Sequence, residues 1–210
     1  MADPILVVTA VEAEAEAVRA GAGPAHVVVA AVGVGPAAAA AGTARLLATA
    51  RYRAVVSAGI AGGFPGRAPV GAIVLGARSI AADLGAESPG GFVPIEELGF
   101  GRSVVVSDDA LVKALAAALP EAIVGDVLTL ATVTGTAATA ERLAARFPAA
   151  VAEAMEGFGV ATAAAGAGLP FAELRTISNP VGPRDRAAWR LKEAFTALST
   201  ASGALWTACG

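Results

Sequence analysis

The chain has 210 residues, of which 56% are hydrophobic and 16% charged, with a formal net charge of −3. That length fits one domain spanning residues 1–210, and the mean hydropathy of +0.67 owes much to alanine and glycine, which predicts closely packed helices and strands. A negative balance argues against general nucleic-acid affinity.

Runs rich in β-formers alternate with alanine-rich runs along the chain. The expected strands are 5–9, 27–32, 54–58, 72–80, 103–107, 127–133 and 171–177, and the expected helices are 11–20, 36–50, 108–118, 137–146, 157–167 and 186–207. This order predicts an α/β domain with a central mixed sheet flanked by helices. Several strands are continuously apolar, as burial on both faces requires.

The first residues, Met1 to Val8, carry no basic region ahead of an apolar core, so no secretory signal is expected. After the first strand comes "TAVEAEAEAV" (9–18), where Glu12, Glu14 and Glu16 open a helix and favour its dipole. Residues two apart on a helix face different ways. At most one of them aims squarely at a site beyond the strand, and Glu12 competes with Glu14 for that place.

Ala20 to Ala44 lacks charged residues, but Pro24, Pro36 and five glycines interrupt it. A strand, a turn and a helix start explain it better than a membrane span. Within it "GVGPAA" (33–38) fits a dinucleotide-binding turn, yet the acid needed about 20 residues later for the ribose is missing before Asp83. The glycines are therefore expected to make a tight turn with amides facing a ligand cleft. Arg19, Arg45, Arg51, Arg53, Arg67 and Arg78 fall in a region without acids from Ala17 to Ala82. They are either solvated helix-end charges or part of an anion site.

"SAGIAGGF" (57–64) brings the backbone close to a ligand after a buried strand. Residues 83–102 break the rhythm with seven Gly or Pro residues around Phe92 and Phe100, and form a surface excursion or a binding loop. Further on, "EAMEGFGVATAAAGAG" (153–168) sets Glu156 in apolar company, where a carboxylate must find a partner or become neutral. "LRTISNPVGPRDR" (174–186) ends a strand on Asn179, a carboxamide where a strand mouth often holds an acid. The lone Cys209 excludes an internal disulfide and favours a cytoplasmic protein. With one histidine and one cysteine, no metal site or organic cofactor is expected.

An early acid after strand one, "SAGIAGG", "AMEG" and "ISN", in that order and at suitable spacing, resemble the nucleoside phosphorylase and nucleosidase family over essentially the whole chain. In its methylthioadenosine-cleaving members the matching segments read A-M-x-x-E, G-S-A-G-G, E-M-E and I-S-D. The resemblance implies a nucleoside phosphorylase-like fold and assembly into a homodimer or higher homo-oligomer. It implies that Glu14 activates a water, that Glu156 accepts from the ribose hydroxyls, and that Met155 lies beside the sugar. Ile60, Ala61 and Gly62, with Thr134 and Gly135 of "TVTGT", belong to the implied nucleoside site.

The departures are Ala154, Ile60 and above all Asn179, at the place of the acid that protonates the purine. Adenine shows a donor beside N7, whereas a 6-oxopurine shows two acceptors, which an amide NH₂ can serve. A 6-oxopurine also leaves as a stabilised anion, so hydrogen-bond donation can replace a strong acid. Within the family the segments look most like a branch that hydrolyses an inosine-type nucleoside carrying a carboxyphenyl ketone on its 5′ side. In that reading Phe92 and Phe100 enclose the aryl group and Arg184 or Arg186 pairs with its carboxylate; alternatively "PRDR" is helix-start charge balanced by Asp185. Phosphorolysis, with Arg45 or Arg67 holding phosphate, adenosine-type hydrolysis and idle nucleoside binding are the competing readings.

Overall fold

The computed structural model describes residues 3–21 and 27–208. Cys209 and the first two residues, on which part of the sequence reading rests, lie outside them. Among the described residues there are ten strands: β1 (Ile5–Thr9), β2 (Val27–Ala31), β3 (Ala54–Gly63), β4 (Ile73–Ala81), β5 (Gly85–Ser88), β6 (Gly91–Pro94), β7 (Val104–Val106), β8 (Ile123–Thr129), β9 (Ala150–Ala154) and β10 (Phe171–Pro180). The helices are α1 (Glu12–Ala20), α2 (Pro36–Thr49), α3 (Asp109–Ala118), α4 (Ala137–Arg146), α5 (Gly157–Gly166) and α6 (Leu191–Ala208), with a 3-10 turn at Arg186–Ala188.

The expected mixed sheet is there, and it curls on itself. β3 pairs parallel with β10, β10 antiparallel with β4, β4 parallel with β8, β8 parallel with β9, and β9 antiparallel with β3. These five pairings close a ring. β1 and β2 continue outward from β3 in parallel, and β7 adds to β4. Ala61, Val74, Val127, Ala152 and Ile177, one from each ring strand, belong to a single buried cluster.

Helices cover the sheet through their apolar stripes. Ala194, Leu198, Ala201 and Leu205 recur at helical spacing on α6 and are buried, and Leu198, Ala201 and Leu205 pack with Val18 of α1 and Leu115 of α3. On the other side Ala39 of α2 meets Val160, Ala161 and Ala164 of α5. This contact depends on Gly159, because a Cβ there would run into the carbonyl of Pro36. Chain direction is set by local chemistry: Asp108 accepts from the Leu111 amide at the start of α3, and Thr136 from Thr139 at the start of α4. α2 starts with Pro36 after Gly35, whose φ of 90° suits glycine.

The structure departs from the sequence expectation in several places: β3 and β10 run on to Gly63 and Pro180, and β5, β6 and β9 are additional strands. The strand expected at 127–133 runs over Ile123–Thr129, because Ala131 to Thr134 turn away to wall a cavity. β9, "AVAEA", falls where no element was expected, between the helices 137–146 and 157–167, and all five of its residues are buried between β8 and β3. Residues 186–190 do not join α6; Asp185 caps the separate 3-10 turn by accepting from Ala187.

Candidate active site

A cavity of about 520 Å³ opens where β3, β9 and β10 end, between Glu14, Glu156 and Asn179. Glu14 is the third residue of α1. Its Oε2 accepts from the amides of Ala10 (2.9 Å) and Val11 (3.3 Å), and its Oε1 from the amide of Ile60 (2.9 Å). The side chain is thus turned inward, over β3. Glu12 points outward and pairs with Arg19, and Glu16 is exposed. Burial pushes the Glu14 carboxyl above its usual range, against the Ile60 amide and the Arg175 charge, while the neighbouring Glu156 adds to the rise.

Gly59 lets this happen. A Cβ there would lie 2.6 Å from Glu14 Oε1 and 2.9 Å from Arg175 Nη1, so only a bare strand admits both groups. Glu156 follows β9 and opens α5. It accepts from the amides of Gly35 (3.1 Å) and Met155 (3.3 Å), and Arg175 Nη1 stands 3.5 Å away. The amide of the "GVGPAA" turn therefore serves Glu156 rather than facing the cleft unpaired.

Asn179 sits just past a register shift in β10, where Ile177 pairs with Ala61 but Asn179 with Gly62. Its Oδ1 accepts from Ser178 Oγ (2.8 Å), and its Nδ2 donates to the Pro180 carbonyl (3.0 Å). An amide nitrogen carries two N–H groups, so the second is available to a ligand. Gly62 makes room: a Cβ there would be 3.4 Å from Asn179 Nδ2.

Ile60, Ala61, Gly62, Thr134, Met155 and Arg184 also line the cavity. The remaining expected residues do not. Thr134 is drawn inward because its amide (2.7 Å) and hydroxyl (2.5 Å) both donate to Glu153, after which the chain turns outward and leaves Gly135 exposed beside the Arg184 stem. Phe92, in the β5–β6 hairpin, stacks under the Arg146 guanidinium at 3.7 Å. Phe100 is 80% exposed, and Arg186 lies outside the cavity, 5.8 Å from the Trp189 ring.

Sequence reading missed Trp189 as a lining residue, the buried Glu153, and a pair behind the cavity wall. Glu173 and Arg175 are each 1% exposed, and Arg175 Nε donates to Glu173 Oε1 at 2.9 Å. Two charges within the apolar run "FAELRTI" were the available signal, since buried charges demand partners. Among the described residues no group of three or more His, Cys, Asp or Glu is arranged to hold a metal, and no helix is long and apolar enough to cross a membrane.

The arrangement resembles known proteins in sequence and in fold. Futalosine hydrolase of Streptomyces coelicolor is 58% identical over 154 residues, covering 73% of this chain and 65% of the relative. Futalosine hydrolase of Acidothermus cellulolyticus is 47% identical over 171 residues, covering 76% and 68%. The chain thus spans about two thirds of the length of these curated relatives. Among solved structures, native futalosine hydrolase of Helicobacter pylori superposes with a TM-score of 0.84 at 17% identity, over 100% of this chain and 98% of that one. The methylthioadenosine/S-adenosylhomocysteine nucleosidase of Neisseria meningitidis, in complex with methylthio-immucillin-A, gives a TM-score of 0.84 at 20% identity over 98% and 99%. Such distant likenesses show a nucleoside phosphorylase-like fold. The Phosphorylase superfamily model matches residues 7–209, and the chain belongs to that superfamily.

Proposed function

We propose that this protein hydrolyses the N-glycosidic bond of futalosine, releasing hypoxanthine and dehypoxanthinyl futalosine, in the futalosine route of menaquinone biosynthesis. The observation that carries this reading is Asn179, with an N–H left over at the cavity wall. A 6-oxopurine offers O6 and N7 as acceptors, and an amide donor matches that edge where a carboxylate would repel it. The sequence similarity to futalosine hydrolases points the same way.

In the reaction the C1′–N9 bond breaks and a water oxygen bonds to C1′. Glu14 takes the proton from that water, a role suited to a carboxyl whose proton affinity burial has raised. Glu156 accepts from the ribose hydroxyls, and its charge favours the developing oxocarbenium ion. Asn179 donates to the departing hypoxanthine anion, which then takes a proton from solvent. Met155 packs beside the sugar. Arg184 lies on the cavity wall, 5.5 Å from the Trp189 ring, and pairs with the aryl carboxylate on the 5′ side. No metal or cofactor takes part. The protein acts as a homo-oligomer in the cytoplasm, a setting that suits a chain with a single cysteine.

Phosphorolysis is disfavoured by the arginines it would need. Arg67 spends its guanidinium on the carbonyls of Ala144, Phe147 and Ala150, and Arg45 is exposed away from the cavity wall. The test is incubation without phosphate, with futalosine, inosine and methylthioadenosine offered in parallel. Hypoxanthine from futalosine is the expected product. Adenine from methylthioadenosine with futalosine untouched would overturn the reading, and a strict need for phosphate would make the protein a phosphorylase.

A further inference from the structure

Behind the cavity, β10 carries a charged pair that the reaction above leaves unused. Arg175 donates through Nε to Glu173 (2.9 Å) and through Nη2 to Ser57 Oγ on β3 (3.0 Å), and its Nη1 stands 3.5 Å from Glu156. The same Nη1 and Glu14 Oε1 crowd one face of Gly59. One guanidinium therefore serves three buried carboxylates, at Glu14, Glu156 and Glu173. Glu14 and Glu156 line the cavity, whereas Glu173 and Arg175 do not.

The fold makes special room for Glu173. Its carboxylate occupies the volume that a side chain at Gly157 would fill, at the first residue of α5. The positive end of that helix suits an anion there. Ser79 on β4 lies beside the carboxylate, without the geometry of a full hydrogen bond to it. An acid is costly to bury so completely, and a structural arginine could have been satisfied by carbonyls, as Arg67 is.

We propose that Glu173 is a positioning residue for the hydrolytic site: it binds Arg175 from the side away from the cavity, fixing the guanidinium toward Glu156 and drawing off enough of its charge that Glu14 remains a base. The inference rests on the nucleosidase reading of the site. Without Glu173, the whole arginine charge would fall to Glu156 and Glu14. Glu14 would then ionise more readily and take a proton from water less readily. Burial pushes Glu173 itself upward, and the Arg175 charge acts against that rise. Burial alone would weaken Arg175, but Glu173, Glu156 and Glu14 outweigh it and keep the guanidinium charged.

The test compares the wild type, Glu173→Gln and Glu173→Asp. The Glu14 carboxyl is followed by ¹³C NMR titration, assigned through Glu14→Gln, and kcat and KM for futalosine are measured across pH. In Glu173→Gln the Glu14 midpoint should fall by on the order of one pH unit. The acid limb of kcat should move down with it, and kcat on the plateau should drop about tenfold with KM little changed. Glu173→Asp keeps the charge and should leave the midpoint near the wild-type value; if the Gln variant does not fold, Glu173→Met, which also removes the charge at similar volume, takes its place in the comparison. A Glu14 midpoint unmoved in Glu173→Gln, or one that falls equally in Glu173→Asp, overturns the proposal. Wild-type protein inert toward futalosine would instead overturn the nucleosidase reading, while the titration still reports on Glu173.

Discussion

Asn179 and Glu153 show how a single group decides what a site accepts. Asn179→Asp would place a carboxylate against O6 of a 6-oxopurine. We expect kcat/KM for futalosine to fall by at least about 100-fold, measured as hypoxanthine release, with thermal stability nearly unchanged. Glu153 is 6% exposed, and burial raises its pKa although both Thr134 donors lower it. A folded-state pKa above the unfolded one means that the native state holds the proton longer. The associated stability is complete below the ordinary value of 4.5 and is lost as pH rises through the raised folded value. Glu153→Gln keeps an acceptor for the Thr134 amide and removes the charge. It should therefore stabilise the protein by on the order of 1 kcal/mol at pH 8, with the gain vanishing near pH 4, as read by thermal unfolding across that range. Asn179 was legible in the sequence because it departs from a family pattern. Glu153 was not, since the Thr134 that explains it lies 19 residues away in the connection between β8 and α4.

Elements meet here through glycines as much as through large side chains. Gly159 brings α5 against the start of α2, and Gly157 and Gly59 admit the buried charges. Gly159→Ala should push the two helices apart and cost about 1–3 kcal/mol, seen as a lower melting temperature. Most strands and helices were readable from apolar runs and caps. β9 was missed because five residues rich in alanine carry little strand propensity, and only pairing with β8 and β3 makes them a strand. The hairpin of β5 and β6 was hidden for a related reason. Its glycines and prolines read as an irregular loop, and its two four-residue strands pair only with each other.

For the whole molecule, the exposed apolar residues Val34 (55%), Val106 (70%) and Phe100 (80%) fit a protein that meets copies of itself. Light scattering after size exclusion should give at least twice the mass of one chain. Arg184→Ala should raise KM for futalosine about tenfold or more, whereas Arg186→Ala, outside the cavity, should leave KM within about threefold. Steady-state kinetics on both variants separates the two arginines. By itself the sequence determined the α/β class, the order of the helices and of seven strands, and the presence of Glu14, Glu156 and Asn179, because apolar period and local motifs are properties of neighbouring residues. Only the tertiary structure decided that the sheet closes into a ring, that Glu14 rather than Glu12 faces inward, and that Arg175 stands among three carboxylates. Those facts depend on strand pairings and on side chains from β3, β10, α1 and α5 converging in space, which spacing along one chain does not encode.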